Sequence, residues 1–237
     1  MPGVSRGVVT ARDRATVGFV AAHPWVVSEQ VRRFLSLESE QPSGHVAVQV
    51  ARRRLAVLLS HGLLARGMLR LFGVPLSAYW LSRRGALFLG ESIAPGGVDI
   101  RQLAHDAAVA DLHLALLGQG ARDIWTARTL ASARGRGSLP DGLLAPLGGR
   151  QFHVPDLVAR LADGRRVAFE VELSRKAPRR LAEIMRAYRL ARGLDEVAYL
   201  TLGEARARAI AEAAHGVSKV SVSRLESLVP VPSWPRS

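Results

Sequence analysis

The stretch His153–Lys176, HVPDLVARLADGRRVAFEVELSRK, constrains the fold more than any other part of the chain. Two strand-like runs, FHVPDLVARL and RRVAFEVEL, flank Asp163-Gly164, a dipeptide suited to the tight turn of a hairpin. Asp156 falls on the first run, and Glu170 and Glu172 on the second. Alternate residues of a strand share a face, so Glu170 and Glu172 point the same way and Asp156 can meet them across the turn. Clustered carboxylates are hard oxygen donors for a divalent cation. The alternative is two exposed acids on an edge strand, paired with Arg165, Arg166, Arg175 or Arg179.

The surrounding pattern is α/β. DIRQLAHDAAVADLHLALLGQG reads as a helix with Leu103, Ala107, Leu112, Leu114 and Leu117 at apolar positions. His105 and His113 bracket Asp111 on it, without a zinc-type spacing. DIWTARTL reads as a strand, and ASARGRGSLPDGLLAPLGGRQ, rich in Gly, Pro and Arg, as a long loop. After the hairpin, PRRLAEIMRAYRLARG is helical, with Leu181, Ile184, Met185 and Tyr188 on one apolar face. EVAYLTL, EARARAIAEAAHG and VSKVSVSRL then read as strand, helix and strand. Alternating elements of this kind build a mixed sheet flanked by helices.

The first half has a different rhythm. Thr10 with Asp13 three residues on forms a capping box, with Asp in place of Glu, at the start of a helix. Ser28 is a candidate N-cap for a second helix through Val31, Phe34 and Leu35. SGHVAVQVARRRLAVLLSHGLL gives the strongest helix, with Val48, Ala51, Leu55, Leu58 and Leu59 as its stripe and Gly62 as its stop. LLARGMLRLFGVPLSAYWLS then reads as strand, turn, strand, and SRRGALFLG as a short helix or turn. Three helices followed by a hairpin make a winged helix-turn-helix, whose third helix enters a major groove. His45, Gln49, Arg52 and Arg53 fall on or near its outer face, and Arg66, Arg70, Arg83 and Arg84 suit phosphates. A merely solvated basic face is the plainer reading of Arg52 to Arg54.

Charge favours the first of these readings. The 237 residues carry a formal net charge of +13, almost all from arginine, since Lys176 and Lys219 are the only lysines. An excess of that size points to a polyanion, of which nucleic acid is the commonest. With no cysteine, disulfides, thiolate metal sites and cysteine nucleophiles are excluded. Arg, His or Gly interrupts each apolar run, and neither a membrane span nor an export signal is evident. The expectation is a cytoplasmic protein without a membrane partner.

The order helix, three strands, helix, strand resembles the core of the PD-(D/E)xK nucleases. In that family the Asp of a Pro-Asp motif and the acid of an E-x-K motif bind a divalent metal, and the Lys serves the attacking water. Pro155-Asp156 and Glu170 match those acids, but Glu172 stands where the Lys belongs, with Lys176 four residues further on. Asp111, or second Asp106, matches the acid of the first helix. The chain as a whole, from about residue 15 to 200, is similar to the replication-relaxation family. The pieces that carry the similarity are ARRRLAVLLSHGLLAR, YWLSRRG, HDAAVADLHLAL, VPD and FEVEL, the last with the Glu-x-acid that this family has in place of Glu-x-Lys. That family is associated with plasmids and integrative elements of Gram-positive bacteria, and with plasmid replication and DNA relaxation or transfer.

The resulting expectations are specific. The fold is α/β (α+β), a winged helix-turn-helix over 10–90, a PD-(D/E)xK-like mixed sheet with flanking helices over 98–228, and a tail over 229–237, with Gly90–Gly97 as linker. The function is that of a DNA-binding protein of a mobile element, with a degenerate nuclease-like domain. An active Mg2+-dependent nickase and a winged-helix transcriptional regulator are the alternatives. Candidate catalytic residues are Asp111, Asp156, Glu170, Glu172 and Lys176, with Asp156 and Glu170 as ligands of Mg2+ or Mn2+. The expected partners are double-stranded DNA, a relaxase or replication protein, and a second copy of the chain in a homodimer.

Overall fold

The structure, a computed structural model, describes residues 9–39, 46–71, 73–90, 93–174 and 176–229. Helix α1 (Ala11–Ala22) begins at the expected capping box: Asp13 N–H donates to Thr10 Oγ1 at 3.2 Å, and Thr10 N–H to Asp13 Oδ2 at 2.7 Å. A two-residue strand, β1 (Val26–Val27), precedes α2 (Ser28–Leu37). Ser28 is not the cap of α2. Val27 holds that position, and the Gln30 side chain accepts from its N–H at 3.0 Å. Phe34 of α2 stacks on Phe19 of α1, ring centroids 4.6 Å apart.

Helix α3 (Val48–Ser60) buries Ala51, Leu55, Val57 and Leu58. Its stripe sets in one turn later than the sequence suggests, and Val48 is exposed. Gly62, at φ 66°, closes the helix in a conformation that costs glycine little. Strands β2 (Leu64–Leu71) and β3 (Val74–Leu81) then pair antiparallel, Leu64 opposite Leu81 through Leu71 opposite Val74. The sheet order is β1-β3-β2. Ser82 caps the short α4 (Arg83–Leu89) by accepting from Gly85 N–H at 2.9 Å.

The end of the stretch expected as a linker is hydrogen-bonded to the first unit. Gly96 N–H donates to Leu81 O at 2.9 Å and Gly97 N–H to Pro24 O at 3.1 Å. A Cβ at Gly96 would stand 2.5 Å from Pro24 O and 2.7 Å from Trp80 Cβ of β3, so glycine is what lets the chain lie so close to both. The contact division of the chain falls further on, between Ala110 and Asp111 inside α5 (Leu103–Gly118). Residues 107–114 of that helix are buried at successive positions.

From Asp111 onward the second unit is built on a five-stranded sheet of order β10-β9-β8-β7-β4. Strand β7 (Leu157–Arg160) pairs antiparallel with both β4 (Arg122–Thr126) and β8 (Arg166–Glu172). Strands β8, β9 (Glu196–Thr201) and β10 (Val220–Arg224) run parallel, as the crossovers α7 (Pro178–Leu190) and α8 (Glu204–Ala213) require. The fold is thus mixed α/β, as expected.

Two parts of the second unit depart from the sequence reading. The C-terminal half of DIWTARTL and the start of the long loop form α6 (Ala127–Gly135), capped by Thr126 and Thr129. The rest of the loop enters a separate hairpin, β5 (Ala145–Gly148) with β6 (Gln151–His153). The expected single strand FHVPDLVARL is therefore two, β6 and β7, broken at Pro155, whose missing N–H cannot serve a ladder. Of the 229–237 tail, Val229 is buried and the other residues lie outside the described ones. Among the described residues, no helix is long and apolar enough to cross a membrane.

Candidate nucleic-acid interface and acid cluster

Two sets of charged residues stand out, one in each unit. On α3 the arginine run divides. Arg52 and Arg53 are exposed, as is Gln49. Arg54 turns inward and meets Asp13 of α1 through both carboxylate oxygens, Nε to Oδ1 at 2.9 Å and Nη2 to Oδ2. Asp13 is almost wholly buried, so it requires that partner. Arg54 is therefore a tie between α1 and α3, whereas Arg52 and Arg53 stay in solvent.

On β2 the alternation of the strand places Arg66, Met68 and Arg70 on one exposed face, with Met68 70% exposed. Arg83 and Arg84 are exposed in the first turn of α4. His45 lies outside the described residues. The exposed valines Val48 and Val50 add apolar surface to the first turn of α3, which the sequence reading missed by assigning Val48 to the core.

The acids of the second unit are not on an edge. Strand β8 lies between β7 and β9, and Glu170 and Glu172 are 2% and 3% exposed. Both share a face with Ala168, which packs in the core beneath Leu181, Ile184 and Tyr188 of α7. Buried carboxylates must be bonded, and these are. Glu170 Oε1 accepts from Tyr188 Oη, and His153 Nε2 stands 2.5 Å from the same oxygen. The His153 and Tyr188 rings meet edge to face, 5.4 Å apart. Lys176 reaches back from beyond the strand end to donate to Glu172 Oε2. Of the arginines considered for these acids, Arg165 is bonded to Asp163 and Glu196 and Arg179 to Glu183, and Arg175 lies outside the described residues.

Asp156 has a third kind of bond. One step beyond the last β7–β8 pair, Leu157 with Phe169, it stands opposite Glu170. Its Oδ2 accepts from Val171 N–H at 2.8 Å, and its backbone carbonyl accepts from Ala127 N–H at 3.0 Å. One residue thus fastens β8 and the start of α6 to the start of β7. Asp111 is buried on α5.

These bonds bear on a shared cation. Among the described residues, no group of three or more His, Asp or Glu side chains is arranged to hold a metal ion. One oxygen of each carboxylate is engaged instead, Asp156 Oδ2 by an amide, Glu170 Oε1 by a phenol and an imidazole, and Glu172 Oε2 by an ammonium. As placed, the carboxylates do not fit a common Mg2+ or Mn2+ site.

Charge near Glu170 also acts on its neighbours. Burial, and then the negative charge of Glu170, pushes the Tyr188 hydroxyl far above its ordinary pKa, and Tyr199 is raised by the same causes in the same order. Both phenols keep their protons, which suits Tyr188 as a donor. Tyr199 and Thr201 are the β9 partners of Glu170 and Glu172. Their buried hydroxyl oxygens have no hydrogen-bond partner among the described residues. The Glu172–Lys176 pair opens on a cleft of about 680 Å3, lined also by Ser174, Leu181 and Arg206, at the C-terminal ends of two parallel strands.

Sequence reasoning missed His153 and Tyr188. The available signal was chemical: a glutamate on a central strand needs donors, and a tyrosine within the apolar stripe of α7 carries one. In comparisons with known proteins, the replication-relaxation family model matches residues 18–198. No curated protein and no solved structure matches the chain.

Proposed function

The chain belongs to the replication-relaxation family, and from that premise we propose that it is a duplex-DNA-binding protein of a mobile element, acting in plasmid replication, relaxation or transfer. The N-terminal unit is the binding module, a winged helix-turn-helix with α3 in the major groove and the β2–β3 hairpin along the backbone. The sheet of the second unit is a nuclease-like scaffold whose acids have become structural. The observation that carries the reading is the division within one arginine run. Arg54 is held by Asp13, while Arg52 and Arg53 are in solvent beside exposed Gln49. The tie fixes α3 against α1, and the exposed polar side chains it leaves on the outer face are of the types that read base edges and phosphates. The order of the unit, α1-β1-α2-α3-β2-β3, supports it further.

Fluorescence anisotropy with a labelled duplex, over a series of salt concentrations, tests the proposal. Each phosphate contact releases counterions and steepens the salt dependence by about 0.9 in log–log slope. Arg52→Gln/Arg53→Gln should weaken binding and flatten the slope by about two. Unchanged affinity and slope would remove α3 from the interface.

A further inference from the structure

The β5–β6 hairpin belongs to neither larger sheet. Its tip is Gly148-Gly149, with φ of 114° and 54°, and a Cβ at either would meet open space. Arg150 follows, exposed. Phe152, on the next strand residue but one, is 37% exposed, an unusual place for a phenylalanine. The Arg134 guanidinium from the end of α6 stands 4.5 Å from the Phe152 ring centroid, and its Nη2 donates to Arg150 O at 3.1 Å.

Beside the hairpin is a cavity of about 630 Å3, within the range of about 300–1,000 Å3 of small-ligand sites. Its walls are mainly apolar, from Leu139, Pro146, Phe152 and the exposed Leu190. The charged side chains that line it are Arg134, Arg192 and Asp141, and Arg150 adds a third positive charge nearby. An apolar wall with an aromatic ring and an arginine rim matches a nucleobase attached to a charged backbone. A duplex cannot use such a wall, because its base faces are stacked on one another. A protein segment would find no use for the excess of arginine unless it were acidic.

We propose that this hairpin and its cavity hold single-stranded DNA, one base lying against Phe152 and the flanking phosphates met by Arg134, Arg150 and Arg192. The proposal rests on the reading that the protein acts on DNA, and adds a second substrate form to it. A protein that holds both a duplex and an unpaired strand can sit where a plasmid origin opens.

The test uses the full chain with a fluorescein-labelled oligo(dT) of about 12 nucleotides, an abasic strand of equal length and a labelled duplex. Phe152→Ala should weaken oligo(dT) binding about tenfold and leave duplex binding unchanged. The abasic strand should bind the parent protein about as weakly as oligo(dT) binds that variant. Arg52→Gln/Arg53→Gln should do the reverse, losing the duplex and keeping oligo(dT). Arg192→Gln, at an exposed position, should weaken oligo(dT) and lower its salt slope by about 0.7, and it decides the matter if Phe152→Ala does not fold. Equal binding of abasic strand and oligo(dT), or a Phe152→Ala protein that holds oligo(dT) as tightly as its parent, would overturn the proposal. So would a parent protein that binds only the duplex. Loss of the α3 effect alone would sink the duplex reading and leave this one standing.

Discussion

Helix α3 and strand β8 each carry charge in the middle of an element, and they dispose of it in opposite ways. On α3, Arg52 and Arg53 are exposed and Arg54 is paired with Asp13. On β8, Glu170 and Glu172 are inside, and each is bonded to a side chain from outside the strand. An exposed charge costs the fold almost nothing and remains available to a ligand. A buried one carries a desolvation penalty of several kcal/mol unless its partners are in place. The contrast leaves Arg52 and Arg53 accessible and ties Glu170 and Glu172 to the packing around β8.

The sharpest way to break that contrast is to remove an acid. Glu170→Ala takes the acceptor from Tyr188 and from His153, leaving both polar groups buried. Urea unfolding should show a loss of about 3–4 kcal/mol. A variant as stable as its parent would make Glu170 as dispensable as a surface arginine, and the distinction would fall.

Acid provides a second probe of what is buried. His113 on α5 is almost fully enclosed, and burial lowers its pKa to about 4 from the ordinary 6.5. The folded protein therefore holds it neutral in a range where the unfolded chain binds a proton. Between pH 6.5 and pH 4 the unfolded state takes up more protons, so stability falls as pH falls through that window. The contribution reaches at most about 3 kcal/mol, at about one pKa unit per 1.36 kcal/mol. Denaturation curves at several pH values should show the decline, and His113→Leu should remove this part of it. A parent protein whose stability is level from pH 6.5 to pH 4 would contradict the assignment.

The smallest effect sharpens the comparison from the other side. Arg52→Gln/Arg53→Gln, the variant expected to lose duplex binding, should change unfolding stability by no more than about 0.5 kcal/mol. A large loss would mean that these arginines hold the fold as Arg54 does.

What the sequence made legible was local. The Thr10–Asp13 box, the α3 stripe from Ala51, the strands on either side of Asp163-Gly164 and the Leu181–Tyr188 face all follow from spacings of two to four residues. Helix α6 was lost because its Arg and Gly content reads as a loop, although the Thr126–Thr129 cap was present. Gly90–Gly97 looked like a linker because composition does not reveal hydrogen bonds to Leu81 and Pro24. The environment of the acids was the least legible. Asp13 meets Arg54 from 41 residues away, and Glu170 meets Tyr188 and His153 from 18 and 17. Such partners depend on which elements pack together, and a motif names only one side of each bond. Asp156, Glu170 and Glu172 read as a metal set, and the motif does not show that an amide, a phenol with an imidazole, and an ammonium meet them in the fold.

The central claim, a DNA-binding protein on a nuclease-like scaffold whose acids are structural, meets its most direct test with supercoiled plasmid. The protein is incubated with plasmid and Mg2+ or Mn2+, and one gel reads both retardation and conversion to the nicked form. The account predicts retarded plasmid that remains supercoiled once the protein is removed. Robust nicking that Glu170→Gln abolishes would contradict it, and would make the buried acids of β8 a working centre.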